Sequence, residues 1–105
     1  ERETLTRIGM PAEITMRHRP THFAHVFSGD GYSAGYYSYM WSEVMDADAF
    51  TAFEETGDIF NAELARRLRE AIYSAGGRQD PKEAYVAFRG ALPDAGPLLK
   101  KRGFA

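Results

Sequence analysis

The chain has 105 residues, 44% of them apolar, a size that predicts a single unit over residues 1–105. It contains no cysteine and has a formal net charge of -2, which excludes disulfides and thiolate metal sites and gives no sign of a nucleic-acid-binding surface. No apolar run approaches the roughly 18 residues of a membrane span and no signal peptide is evident, so we expect a cytoplasmic protein with neither nucleic acid nor membrane as partner.

The N-terminal part of the chain alternates between helical and extended signals. Residues 1–9 predict a short helix that ends at Gly9. Pro11 and Pro20 then break helices, and residues 14–19 alternate weakly between apolar and polar, as an extended segment does. We therefore expect an irregular, partly extended N-terminal segment.

Residues 25–43, HVFSGDGYSAGYYSYMWSE, combine a histidine with glycines and tyrosines. Gly29, Gly31 and Gly35 form a glycine turn (residues 29–35) that can take positive φ or approach a ligand closely. Phenol groups, each a donor and an acceptor, surround this turn at Tyr32, Tyr36, Tyr37 and Tyr39. The combination predicts a polar-aromatic wall that faces a bound molecule. The simpler alternative is a sharp turn that leads into a helix and binds nothing.

A long helix is predicted from Ser33 to about Glu55, closed by Thr56-Gly57. Helical spacing places two stripes of side chains on it, namely Tyr36, Tyr39, Glu43 and Phe50 on one, and Tyr37, Trp41 and Val44 on the other. We assign Tyr37 and Trp41 to the core, because large aromatic side chains are most often buried. We assign function to three phenols, those of Tyr32, Tyr36 and Tyr39, because buried tyrosines need hydrogen-bond partners. The acidic side chains are predicted to form the solvated face, at Asp46, Asp48, Glu54 and Glu55.

Three more helices are predicted towards the C-terminus. Asn61 is the expected N-cap of the first, which carries Leu64, Leu68 and Ile72 and ends at Gly76-Gly77. The second begins with Asp80-Pro81-Lys82-Glu83, carries Tyr85, Val86 and Phe88, and stops at Gly90. The third lies between Pro93 and Arg102 and presents Leu98 and Leu99. The predicted fold class is all-α with an irregular, partly extended N-terminal segment.

Three histidines lie close together, at His18, His22 and His25. Pro20 prevents the first two from sharing one helical face, and no carboxylate or cysteine follows at ligand spacing, so we predict that this chain holds no metal ion. His25 directly precedes the glycine turn and could donate to a developing oxyanion, although local packing explains it equally well. Arg17 and Arg19 can bind a carboxylate, although solvated surface arginines are the common case.

Beyond these single residues, the sequence resembles a known enzyme family. The run RHRPTHFAHVFSGDGYSAGYYSYMWSEVMDADAF, followed by FEETGDIFN, LARRLREAIYSAGG, DP and AFRG, looks like the C-terminal part of a thimet-oligopeptidase-type zinc metallopeptidase. The resemblance covers residues 10–104 and is closest to the bacterial peptidyl-dipeptidase branch. It implies a helical piece of a larger zincin-type peptidase that hydrolyses short peptides, with release of C-terminal dipeptides.

The resemblance also implies roles for individual residues. The counterpart of His25 stabilises the oxyanion formed during peptide hydrolysis, and the counterparts of Tyr32 and Tyr39 hydrogen-bond the substrate around the same step. The counterpart of Tyr36 lines the substrate channel, and the turn with Gly29 and Gly31 flexes as substrate enters. The zinc-binding HExxH motif of such enzymes is absent from this sequence. We therefore expect a C-terminal fragment of a catalytic domain, inactive alone, whose partners are the peptide and the missing N-terminal part.

Two other interpretations remain open. One is a free-standing helical module that binds peptides or other proteins without catalysis. The other is a fragment that dimerises through apolar surface normally covered by absent helices, with Tyr37, Trp41 and Phe53 as the candidate surface.

Overall fold

The computed structural model describes residues 1–104, which contain six α-helices and no strand. The predicted all-α class with an irregular N-terminal segment is confirmed. The described chain divides into two compact units, Glu1–Tyr36 and a second that begins at Tyr37. No helix within residues 1–104 combines the length and the apolar character that crossing a membrane requires. The assignment of residues 1–105 to one part of a larger catalytic domain stays a prediction.

The first unit is built from short elements joined by turns. Helix α1 spans Arg2–Arg7, and Gly9 follows with a φ of 83°, which confirms the predicted stop. A 3₁₀ turn spans Pro20–His22, and helix α2, Ala24–Phe27, leads directly to the glycine turn. None of the residues 1–36 is buried.

The long helix of the second unit, α3, spans Ser38–Glu55. Its predicted start at Ser33 is wrong, because the chain runs through turns up to residue 37. Glycine has a low helix propensity, and the glycine turn folds back on itself so closely that a Cβ on Gly35 would lie 3.3 Å from the carbonyl oxygen of Gly31. Tyr36 therefore precedes the helix instead of sharing a stripe with Tyr39. The predicted end at Glu55 is confirmed.

The three C-terminal helices occupy the predicted places. Helix α4 spans Ala62–Leu68, and the Asn61 side chain accepts a hydrogen bond of 2.8 Å from the backbone N–H of Leu64. The chain continues through a π-helical stretch, Arg69–Tyr73, and a 3₁₀ turn, Gly76–Arg78.

Helix α5 spans Pro81–Arg89, and its first turn is capped by the Asp80 carboxylate, which accepts from two backbone N–H groups. Gly90 ends it with a φ of 86°. Helix α6 spans Gly96–Lys101 and packs against α3.

The core of the second unit lies where α3, α4 and α5 meet. Ala52, Leu64 and Phe88 form its buried centre, and Phe88 is only 1% exposed. Phe53 is half-buried against this centre, with its ring 6.5 Å from that of Phe88. Phe53 is therefore part of the packing and not of an exposed surface.

The N-terminal end of α3 lies beyond this core. Tyr37 and Trp41 are 72% and 57% exposed, so their assignment to the core is wrong. Their stripe continues at helical spacing to Asp48 and Ala52, which are buried. The periodicity thus identified the core-facing stripe, but helix α5 covers only its C-terminal part.

Asp48 corrects a second prediction, because it is buried and not solvated. Its Oδ2 accepts a hydrogen bond of 2.6 Å from the Tyr85 hydroxyl and lies 3.5 Å from Nε of Arg89. Arg89 also donates two hydrogen bonds of 2.8 Å to Glu55. Burial and the hydrogen bond to Asp48 raise the pKa of Tyr85 well above its usual value. This network joins α3 to α5.

Candidate active-site wall

The placement of His25 follows from the short helix α2. The backbone N–H groups of Val26 and Phe27 bond to the carbonyl of Phe23 at 3.0 and 3.1 Å, and the N–H of Ser28 bonds to that of Ala24 at 2.8 Å. These bonds form a single helical turn that ends where the glycine turn begins. His25 lies within it, and its side chain is exposed.

Three of the residues predicted to act on substrate lie together in the first unit. The ring of His25 is 4.5 Å from that of Tyr32 and 5.3 Å from that of Tyr36, with interplanar angles of 79° and 83°. The rings of Tyr32 and Tyr36 are 6.3 Å apart. All three pairs meet edge to face, the arrangement that aromatic rings prefer. We call His25, Tyr32 and Tyr36 the ring cluster.

The glycine turn brings these rings together without unusual backbone angles. Neither Gly29 nor Gly31 has a positive φ, and a Cβ on either would meet no atom within 4 Å. The Ser33 hydroxyl donates to the carbonyl of Asp30 at 3.1 Å, and the N–H of Gly35 bonds to the carbonyl of Tyr32 at 3.3 Å. Both bonds lie within the turn, and open space surrounds its first two glycines.

Tyr39 lies in the first turn of α3 and belongs to the second unit. Its side chain is 47% exposed. A shared active site for Tyr39 and the ring cluster stays a prediction.

Sequence reasoning missed the part of Phe23 in this arrangement. Its ring packs edge to face with that of Tyr36 at 4.9 Å and stacks on His18 at 4.9 Å with an interplanar angle of 24°. An aromatic residue two positions before His25 was the available signal. The position of His18 depends on how the irregular segment folds, which no periodicity reveals.

The described residues do not come together as a zinc site. Within residues 1–104 no three side chains of the metal-binding types come together as a metal ion would need. His18 stacks on Phe23 and His25 packs against Tyr32, so two of the three histidines engage aromatic rings.

Comparison with known proteins connects this chain to an enzyme family. A sequence model described as peptidase family M3 matches residues 2–104. Oligopeptidase A of Haemophilus influenzae is 45% identical over 84 residues, which cover 80% of this chain and 12% of that protein. Probable cytosolic oligopeptidase A of Arabidopsis thaliana is 49% identical over 84 residues, which cover 77% of this chain and 12% of the relative.

A relative with a different name matches a longer part of the chain. Dipeptidyl carboxypeptidase of Escherichia coli is 42% identical over 94 residues, which cover 90% of this chain and 13% of that protein. The chain thus spans about an eighth of the length of the curated relatives it matches.

Proposed function

Since the chain belongs to peptidase family M3, we propose that it forms the substrate-facing wall of a zinc-dependent oligopeptidase. In this proposal the chain is part of the catalytic domain of a larger cytoplasmic enzyme, which hydrolyses short peptides and releases dipeptides from their C-termini. The observation that carries the proposal is the ring cluster beside the glycine turn, within a chain that matches the family over residues 2–104.

The proposed chemistry of the wall is hydrogen-bond donation. When a peptide carbonyl is attacked, negative charge develops on its oxygen, and donors held ready at that position lower the barrier. His25, Tyr32 and Tyr39 would supply an imidazole N–H and two phenol O–H groups as such donors. Tyr36 would contact the substrate beside them. Contacts between His25 and both tyrosine rings of the cluster support this, because they restrict the imidazole before substrate arrives.

We place the zinc ion and the general base in parts of the enzyme outside this chain, since the described residues do not form a metal site. What this chain would contribute is therefore orientation of the peptide and hydrogen bonds to the developing oxyanion. Motion of the glycine turn would let the ring cluster close on the substrate after it has entered.

The test is a tyrosine-to-phenylalanine substitution in the full-length enzyme that contains this chain. Tyr39→Phe removes one donor and should lower kcat/KM for a short peptide by about 10²–10³. Tyr73→Phe is the matched control, because it makes the same chemical change at a phenol of the same unit that is 72% exposed. The control should hydrolyse the peptide at close to the wild-type rate.

Two results would contradict the proposal. A Tyr39→Phe enzyme as fast as the control would show that the Tyr39 hydroxyl does not stabilise the transition state. A full-length protein that binds peptides and leaves them uncut would favour the alternative, a helical peptide-binding module.

A further inference from the structure

A surface pocket adjoins the ring cluster in the first unit. Its volume is about 380 Å³, and it is lined by Met16, Arg17, His18, Phe23 and Tyr36. Small-molecule sites in proteins usually measure roughly 300–1,000 Å³. Because Tyr36 belongs both to this pocket and to the ring cluster, the two adjoin each other.

The pocket has an aromatic wall. Phe23 lies between His18, on which it stacks, and Tyr36, which it meets edge to face. Met16 adds a half-buried apolar side chain. Such a surface suits the aliphatic part of a peptide residue, while the imidazole of His18, which also lines the pocket, has hydrogen-bonding nitrogens.

Arg17 gives this pocket a positive charge that no described residue neutralises. The neighbouring arginine, Arg19, is bound to the carboxylate of Glu1 at 2.5 Å. Arg17 makes no ion pair or hydrogen bond within residues 1–104, and its side chain is exposed. The planar guanidinium matches a carboxylate with two parallel hydrogen bonds.

We propose that this pocket is a substrate subsite that binds a carboxylate of the peptide, with Arg17 as its cationic partner. The inference rests on the proposed peptidase function and specifies which peptides the enzyme prefers. The carboxylate belongs either to the C-terminus of the peptide or to an aspartate or glutamate side chain near the cleaved bond. Both sources present the same group to Arg17.

The test compares Arg17→Gln with wild type in the full-length enzyme, using two pairs of peptides. In the first pair, one peptide carries glutamate and the other glutamine at the positions next to the cleaved bond. In the second pair, one peptide has a free C-terminus and the other an amidated C-terminus. Wild type should prefer the carboxylate member of at least one pair. Arg17→Gln should lower kcat/KM for that member by about tenfold, the scale of one charge-assisted hydrogen bond, and should leave the other member unchanged.

Two further variants separate this role from a general loss of charge. Arg7→Gln removes an exposed arginine of α1 in the same unit and should keep the wild-type preference. Arg17→Lys should recover part of the lost preference, because it restores the charge without the planar fork.

The outcomes distinguish failure of the Arg17 subsite from failure of the peptidase function. The pair whose preference is lost identifies the source of the carboxylate. An Arg17→Gln enzyme that hydrolyses peptides with both preferences intact would overturn the subsite and leave the peptidase function standing. A wild-type enzyme that cuts none of the peptides would overturn both.

Discussion

Individual residues carry chemistry in this chain that their neighbours in sequence do not reveal. Asp48 is the clearest case, because a carboxylate on a long, mostly exposed helix is buried at 4% exposure. The Tyr85 hydroxyl and the Arg89 guanidinium offset the cost of burying its charge. The same guanidinium holds the pKa of Glu55 below its usual value by hydrogen bonding. Two acids of α3 thus depend on one arginine of α5.

Replacing Asp48 by alanine should therefore destabilise the second unit. The substitution leaves the buried Tyr85 hydroxyl with only a weaker bond of 3.2 Å to the carbonyl of Met45, so we expect a loss of about 1–3 kcal/mol in the free energy of unfolding. Urea titration of the 105-residue chain measures this free energy of unfolding.

Asp46→Ala is the control for this prediction. Asp46 lies on the same helix but pairs with Lys101 at 3.8 Å in solvent, an interaction of at most about 1 kcal/mol. Equal effects of the two substitutions would contradict a structural role for the buried carboxylate.

At the scale of elements, the open question is whether the glycine turn moves when a peptide enters. Gly29 and Gly31 have room for a side chain and no positive φ, so the shape of the turn does not require glycine at either position. What glycine adds there is freedom of motion. If the turn moves when the peptide enters, that freedom affects kinetics and not stability.

Gly29→Ala and Gly31→Ala should therefore affect kcat/KM and stability differently. We expect unchanged or slightly increased stability, by up to about 1 kcal/mol, because alanine lowers the entropy of the unfolded chain. We expect kcat/KM of the full-length enzyme to fall by roughly threefold or more, because closure of the turn is restricted. Ser28→Ala, just before the turn, is the control. Wild-type kinetics in both glycine variants would exclude a moving turn.

The elements also show which features a sequence can specify. The caps at Asn61 and Asp80 and the stop at Gly90 were predictable, because each depends on hydrogen bonds or backbone angles within a few residues. The start of α3 was not, since one glycine in a helix costs only about 1 kcal/mol and the turn decides where the helix begins. The sequence placed His25 and Tyr32 at the glycine turn but did not predict their ring contact, and the contact of Phe23 with His18 depends on the path of the irregular segment.

At the scale of the whole molecule, exposed apolar side chains bear on how the chain functions. Tyr37, Met40 and Trp41 contribute exposed apolar surface at the start of α3. Large exposed apolar patches mark surfaces that meet other protein. Together with the eighth of its relatives' length that the chain spans, this supports our proposal that it functions as part of a larger enzyme.

The measurement that tests the central claim most directly compares binding of substrate with binding of a transition-state mimic. In the full-length enzyme, the inhibition constant of a phosphinic peptide and the dissociation constant of the matching substrate would be measured for wild type, His25→Ala, Tyr32→Phe and Tyr39→Phe. If these residues bind the developing oxyanion, the inhibition constant rises by the same factor by which kcat/KM falls, while the substrate constant changes little. An equal increase in the inhibition constant and in the substrate dissociation constant would contradict the claim. The residues would then bind the peptide without favouring the transition state.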